Sequence, residues 1–81
     1  MKRVECKDFN TMERRVLAIF TLVGDQVVAD YRDPEFRWDM DNRAIMTAEG
    51  REVRVADGRA FYDALESEYY NCSHVSVICD D

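Results

Sequence analysis

The side chains best suited to chemistry are the thiols and the single imidazole. Cys72, His74 and Cys79 stand together in "CSHVSVIC", and Cys6 lies near the other end of the chain. Thiolate sulfur and imidazole nitrogen are the usual ligands of tetrahedral zinc, so these residues could assemble a metal site. The signal is weak, because zinc ligands normally arrive as CxxC pairs and the pattern here is C-x-H-x4-C. Three cysteines at irregular spacing are also a poor disulfide framework. The expectation is reduced, buried thiols in a reducing compartment, with His74 at a loop or strand edge. A small zinc-dependent regulator or enzyme using Cys72, His74 and Cys79 is the alternative.

Carboxylates are the second candidate chemistry. The stretch "DMDNRAIMTAEG", 39–50, opens like a calcium loop with acids at its first and third positions. Arg43 then takes the fifth position, Ala44 replaces the turn glycine, and Gly50 stands where the bidentate glutamate belongs, which excludes an EF-hand. On one strand face Asp39 and Asp41 would lie about 7 Å apart. No apolar pocket surrounds them to raise a pKa for acid–base work. No Gly-rich phosphate loop, GxSxG elbow or HExxH occurs in the chain. The sequence predicts a non-enzymatic protein with neither cofactor nor metal.

What remains is charge. Acids outnumber bases by 17 to 11, a net charge of −6, which disfavours direct contact with nucleic acid, where a cationic surface must displace counterions. Solubility alone accounts for an excess of this size; an acidic surface meant for a basic protein is the functional reading. The residues predicted to form it are Asp33, Asp39 and Asp41, unpaired along one strand edge, with Asp63, Glu66 and Glu68 on the outer side of a helix.

The elements that must position these residues follow from turn chemistry and periodicity. The 81 residues make one domain, 1–81, with room for one core and no more. No apolar run approaches the ~18 residues of a membrane span, and the N-terminus lacks the apolar run of a signal peptide, so a cytoplasmic protein is expected. Turn signals at Gly24-Asp25, Asp33-Pro34, Asp41-Asn42 and Glu49-Gly50 separate runs rich in β-branched and aromatic residues. They predict an α+β fold: an antiparallel meander with strands at about 15–23, 26–32, 35–40, 43–48 and 51–56. A helix at about 58–70, capped by Asp57, lies on one face, and a short C-terminal strand follows.

Pairing parity fixes the faces. A two-residue turn at Gly24-Asp25 sets Val23 against Gln26, Leu22 against Val27 and Phe20 against Ala29. Continued through Asp33-Pro34, it puts Phe36, Trp38 and Met40 in the core, with Arg32/Glu35 and Asp30/Arg37 as cross-strand pairs. Gly50 in a left-handed bulge restores Val53 opposite Ile45. Leu17, Ile19 and Val28 fall on the opposite face, which Val4 and Phe9 could cover. The last strand could pair in parallel with the first, and 1–14 is left as an N-terminal segment free to be mobile. Residues 11–23 have a competing helical reading, since Asn10 and Glu13 form a capping box.

The function expected is therefore a small acidic protein–protein binding module. It would act as an inhibitor that masks a basic, nucleic-acid-binding surface, as phage-encoded anti-CRISPR proteins do by analogy of size and charge alone. A structural subunit forming a homodimer through Leu17, Ile19 and Val28 is a further alternative.

Overall fold

In 16–31 two runs rich in β-branched and aromatic residues flank a Gly-Asp turn, which favours a hairpin over the competing helix. The computed structural model, which describes residues 2–42, 45–46, 49–66 and 77–80, contains that hairpin. Strand β2, Val16–Val23, pairs antiparallel with β3, Gln26–Tyr31, in the expected register: Val23 opposes Gln26, Leu22 opposes Val27 and Phe20 opposes Ala29. Gly24 supplies the positive φ (63°) that the tight turn needs.

The fold is α+β, but the meander ends at this hairpin. Strand β1, Lys2–Asp8, lies on the other side of β2, where a mobile segment was expected, and the short β6, Val77–Asp80, pairs antiparallel with β1. The sheet order is β3-β2-β1-β6, so the last strand is not a parallel partner of β2. Val4 faces the core, while Phe9 lies exposed in the β1–β2 loop beneath the Arg14 guanidinium, 5.1 Å from the ring centre. At the end of β1 the Asp8 carboxylate, itself buried, accepts the Asn10 amide of the loop at 2.9 Å.

One irregularity rearranges the faces. Cys6 opposes Ala18 but Lys7 opposes Val16, so Leu17 is the extra residue of a β-bulge. A bulge breaks strict alternation. Leu17 and Ala18 are both fully buried as a result, and Leu17 leaves the face where Ile19 and Val28 remain.

Residues 35–40 are helix, not strand. Helix α1, Pro34–Asn42, turns Phe36 and Met40 into the core and leaves Trp38 55% exposed. The expected alternation of Phe36, Trp38 and Met40 on one face is thus replaced by helical spacing, in which Phe36 and Met40 share a face and Trp38 does not. The cross-strand ion pairs go with it: Arg32 pairs with Asp30 at 3.1 Å, and Arg37 with Asp41 at 3.6 Å.

Strands β4, Ile45–Met46, and β5, Glu52–Val53, form a separate small hairpin with Ile45 opposite Val53, and Gly50 has the positive φ (81°) expected of it. A 3-10 turn, Val55–Asp57, leads into helix α2, Arg59–Glu66; positions 67–70 of the expected helix lie outside the described residues. Asp57 does not cap this helix but turns back to accept the Arg54 amide at 2.7 Å.

Phe61, Tyr62, Ala64 and Leu65 of α2 are buried. Phe61 meets Phe20 edge-on at 5.1 Å, so the helix covers the Phe20 face of the sheet, and Tyr31 meets Phe20 from the other side at 5.7 Å. The start of α2 is tied to the β2–β3 turn: the Arg59 amide donates to the Asp25 carbonyl at 3.1 Å.

Two predictions follow from this packing. Phe20→Ala should lose about 3–5 kcal/mol in urea unfolding, whereas Trp38→Ala should lose less than about 1 kcal/mol; equal losses would return Trp38 to the core. Gly58 has φ +60°, and a Cβ there would lie 2.1 Å from the Asp25 carbonyl oxygen, while Gly50 has nothing within 4 Å. Alanine at Gly50 should therefore cost about 1 kcal/mol for its backbone alone, and at Gly58 about 1–3 kcal/mol more. Similar melting of the two variants would remove the tie between α2 and the turn.

Candidate functional site

Helix α1 begins where it does because of Asp33-Pro34-Glu35. Proline fits the first helical position, where no amide partner is needed, and the preceding aspartate can cap. The Asp33 carboxylate does so, accepting the Phe36 amide at 2.9 Å with one oxygen while the other takes the Arg15 guanidinium at 3.2 Å. The Asp33 amide donates to the Leu17 carbonyl at 3.2 Å, and its carbonyl accepts the Arg37 amide at 3.0 Å. At the far end the Asn42 side-chain amide donates to the Trp38 carbonyl at 2.8 Å.

These bonds reassign the expected acidic surface. Asp33 is 8% exposed and Asp39 is 3% exposed, so neither forms an unpaired acidic edge. Asp33 belongs to the cap, and Asp39 is buried on the inner side of α1 with Phe36 and Met40. Asp41 is exposed and pairs with Arg37 one turn back on the same helix. Asp63 and Glu66 stand exposed on α2, a different element, and Glu66 reaches Lys2 of β1 at 3.9 Å. Glu68 lies outside the described residues. The six acids are thus divided among a buried cap, a buried position, two exposed helix faces and one undescribed position.

What the sequence reading missed is Trp38. On α1 it sits one helical turn from Glu35 on one side and from Asp41 on the other, and all three are exposed. Recognising Asp-Pro-Glu as a helix start would have shown it, because that changes the period from two to 3.6 and turns the indole outward.

Beside this face, Tyr31, Arg32, Asp33, Pro34 and Arg37 line an open pocket of about 220 Å³. The Arg37 guanidinium lies over the Tyr31 ring at 5.8 Å. Partial burial pushes the Tyr31 phenol up to about 12, and the Asp41 carboxylate adds to the rise while Arg37 opposes it. The pocket brings together cations, a neutral phenol and a capping carboxylate, a set that can bind and orient polar groups.

The thiol site has a different character. The Cys6 sulfur is engaged in a disulfide, so it is not the reduced thiol expected, nor is it free to serve as a zinc thiolate. Cys79 lies in β6 opposite Cys6 in the ladder, and Cys72 and His74 lie outside the described residues. Among the described residues no group of His, Cys, Asp and Glu is placed to hold a metal ion, and no helix is long and apolar enough to cross a membrane.

The Tyr31 environment has a pH signature. A raised pKa means that the folded state favours the neutral phenol, so its contribution to stability is whole below the ordinary value of 10.0 and is lost as pH rises through about 12. Phenolate absorbance should show a late-ionising component that loses the amplitude of one tyrosine in Tyr31→Phe and begins earlier in Asp41→Asn. A Tyr31→Phe variant with the full late amplitude of the wild type would place the late component wholly on other tyrosines.

Comparison of the chain with protein-family models, with curated protein sequences and with solved structures finds no match to any of them.

Proposed function

We propose that the chain is a small, acidic, non-enzymatic protein-binding module, and that helix α1 presents its contact surface. The observation that carries this reading is the indole of Trp38, more than half exposed between Glu35 and Asp41. A large aromatic held out by a capped helix is the kind of side chain that anchors an interface, because it offers apolar area at little cost in side-chain freedom. Its acidic neighbours and the net charge of −6 match a basic partner.

A surface basic enough to complement them is the kind that takes up nucleic acid, so the reading includes a cytoplasmic inhibitor that occupies such a surface and competes with nucleic acid for it. The acids expected to contribute are Asp41 and Glu35 on α1, with Asp63 and Glu66 of α2 as a second acidic face. Asp33 enters indirectly, by fixing where α1 starts.

Capture of partners from cell extract, followed by affinity measurement on the purified complex, tests the proposal. Trp38→Ala should weaken binding by about 2 kcal/mol, roughly 30-fold, with the fold intact. The double variant Glu35→Lys and Asp41→Lys should mainly slow association, and added salt should weaken the wild-type complex. An affinity indifferent to Trp38, to both acids and to salt would overturn the reading.

A further inference from the structure

We infer that Cys6 and Cys79 are the two ends of one disulfide, and that this bond makes the outermost strand of the sheet a redox-dependent element. The inference stands apart from the contact proposed on α1.

Cys6 is fully buried and disulfide-bonded. On one side it faces Ala18 of β2, and on the other its ladder partner is Cys79 of β6. Residues directly opposed in an antiparallel pair have Cα atoms about 4.5–5.5 Å apart. That lies within the roughly 4.4–6.8 Å that a disulfide spans. Cys72 lies outside the described residues, and the ladder sets Cys79 directly opposite Cys6. The backbone register therefore selects Cys79.

The bond falls where the sheet is weakest. Among the described residues, strand β6 is a four-residue edge strand paired with β1, on which it covers Glu5 to Asp8. So short an edge strand is held by few ladder bonds and frays readily. A cross-link from Cys6 to Cys79 closes a loop that takes in most of the chain, the case in which a disulfide restricts the unfolded state most.

Reduction needs a dithiol. One thiolate of the reductant attacks a sulfur of the bond, its second thiol releases the mixed disulfide, and the reductant leaves as its own disulfide. Two electrons and two protons pass to Cys6 and Cys79, which become thiols. Because Cys6 is buried, attack on its own sulfur requires the edge to open first. Once reduced, β6 loses its covalent tie to β1, and the outer edge of β1 can open for pairing with another strand.

The experiment uses the full chain, air-oxidised. Alkylation without reductant and tandem mass spectrometry that breaks the chain between Cys72 and Cys79 should show Cys6 joined to Cys79 and Cys72 alkylated. Hydrogen exchange before and after dithiothreitol should show the amides that bridge 77–80 and β1 losing protection at least tenfold, while the β1 amides directed to β2, such as that of Asp8, and those of β2 and β3 keep theirs. Cys79→Ser should exchange like the reduced protein whether or not reductant is present, and Cys72→Ser should retain the full response. A Cys6–Cys72 link, three alkylated thiols in the oxidised sample, or exchange at the edge that ignores reduction would each overturn the inference.

Discussion

The carboxylate of Asp33 is the interaction on which the arrangement of this molecule turns. It caps the first turn of α1 through the Phe36 amide and takes Arg15 with its second oxygen, while the Asp33 backbone amide bonds the Leu17 carbonyl at the bulge. A cap of this kind contributes about 0.5–2 kcal/mol. The ion pair adds less, since the Arg15 side chain is largely solvated. The cap's larger effect is on choice: residues 34–42 could alternate as a strand or wind as a helix, and a satisfied N-terminus tips them to helix. Everything outward of β3 follows from that, including the burial of Phe36 and Met40 and the exposure of Trp38.

The bulge at Leu17 does for the sheet what the cap does for the helix. Without it, strict alternation would send Leu17 to the face of Ile19 and Val28, and the core would lose a fully buried side chain there. With it, Leu17 joins the core, while on the β3 side its carbonyl receives the Arg32 and Asp33 amides. Bulge and cap therefore meet at one point, where the chain leaves the sheet and enters α1. On the outer sheet face the apolar residues that remain, among them Ile19, Val23 and Val28, lie beside the charged row Arg3, Glu5 and Lys7 of β1.

How far the sequence could be read depended on whether its signals were local. The β2–β3 register was legible because the Gly24-Asp25 turn and the β-branched and aromatic runs on both sides agree, and the pairing of Ile45 with Val53 was legible from Gly50. Helix α2 announced itself by the spacing of Phe61, Ala64 and Leu65. In 35–40, by contrast, apolar residues at every second position fit a short strand as well as one and a half turns of helix, and only Asp33-Pro34 arbitrates. Strand β1 was missed because "KRVECKD" puts just Val4 and Cys6 inward as apolar residues, and its partner lies beyond a loop. The acidic site was misjudged for the same reason as the strand: a residue's face was derived from an element of the wrong period, so Asp33 and Asp39 were placed in solvent when the fold buries both.

The division of acids between the interior and the surface bears on how a binding surface of this kind would work. A buried carboxylate such as Asp33 does its work through hydrogen bonds at fixed geometry, and its charge is spent on the helix N-terminus and Arg15. Exposed ones such as Asp41 and Asp63 interact through solvent, so they act over about a Debye length and favour encounter more than retention. Retention requires apolar area, and on α1 that is Trp38. A helix rigidly capped at one end by Asp33 and at the other by Asn42 holds the indole in place before any partner arrives, which lowers the ordering cost of association. The cap that decides the fold is in this way also the element that preorganises the only large aromatic on the exposed face of α1.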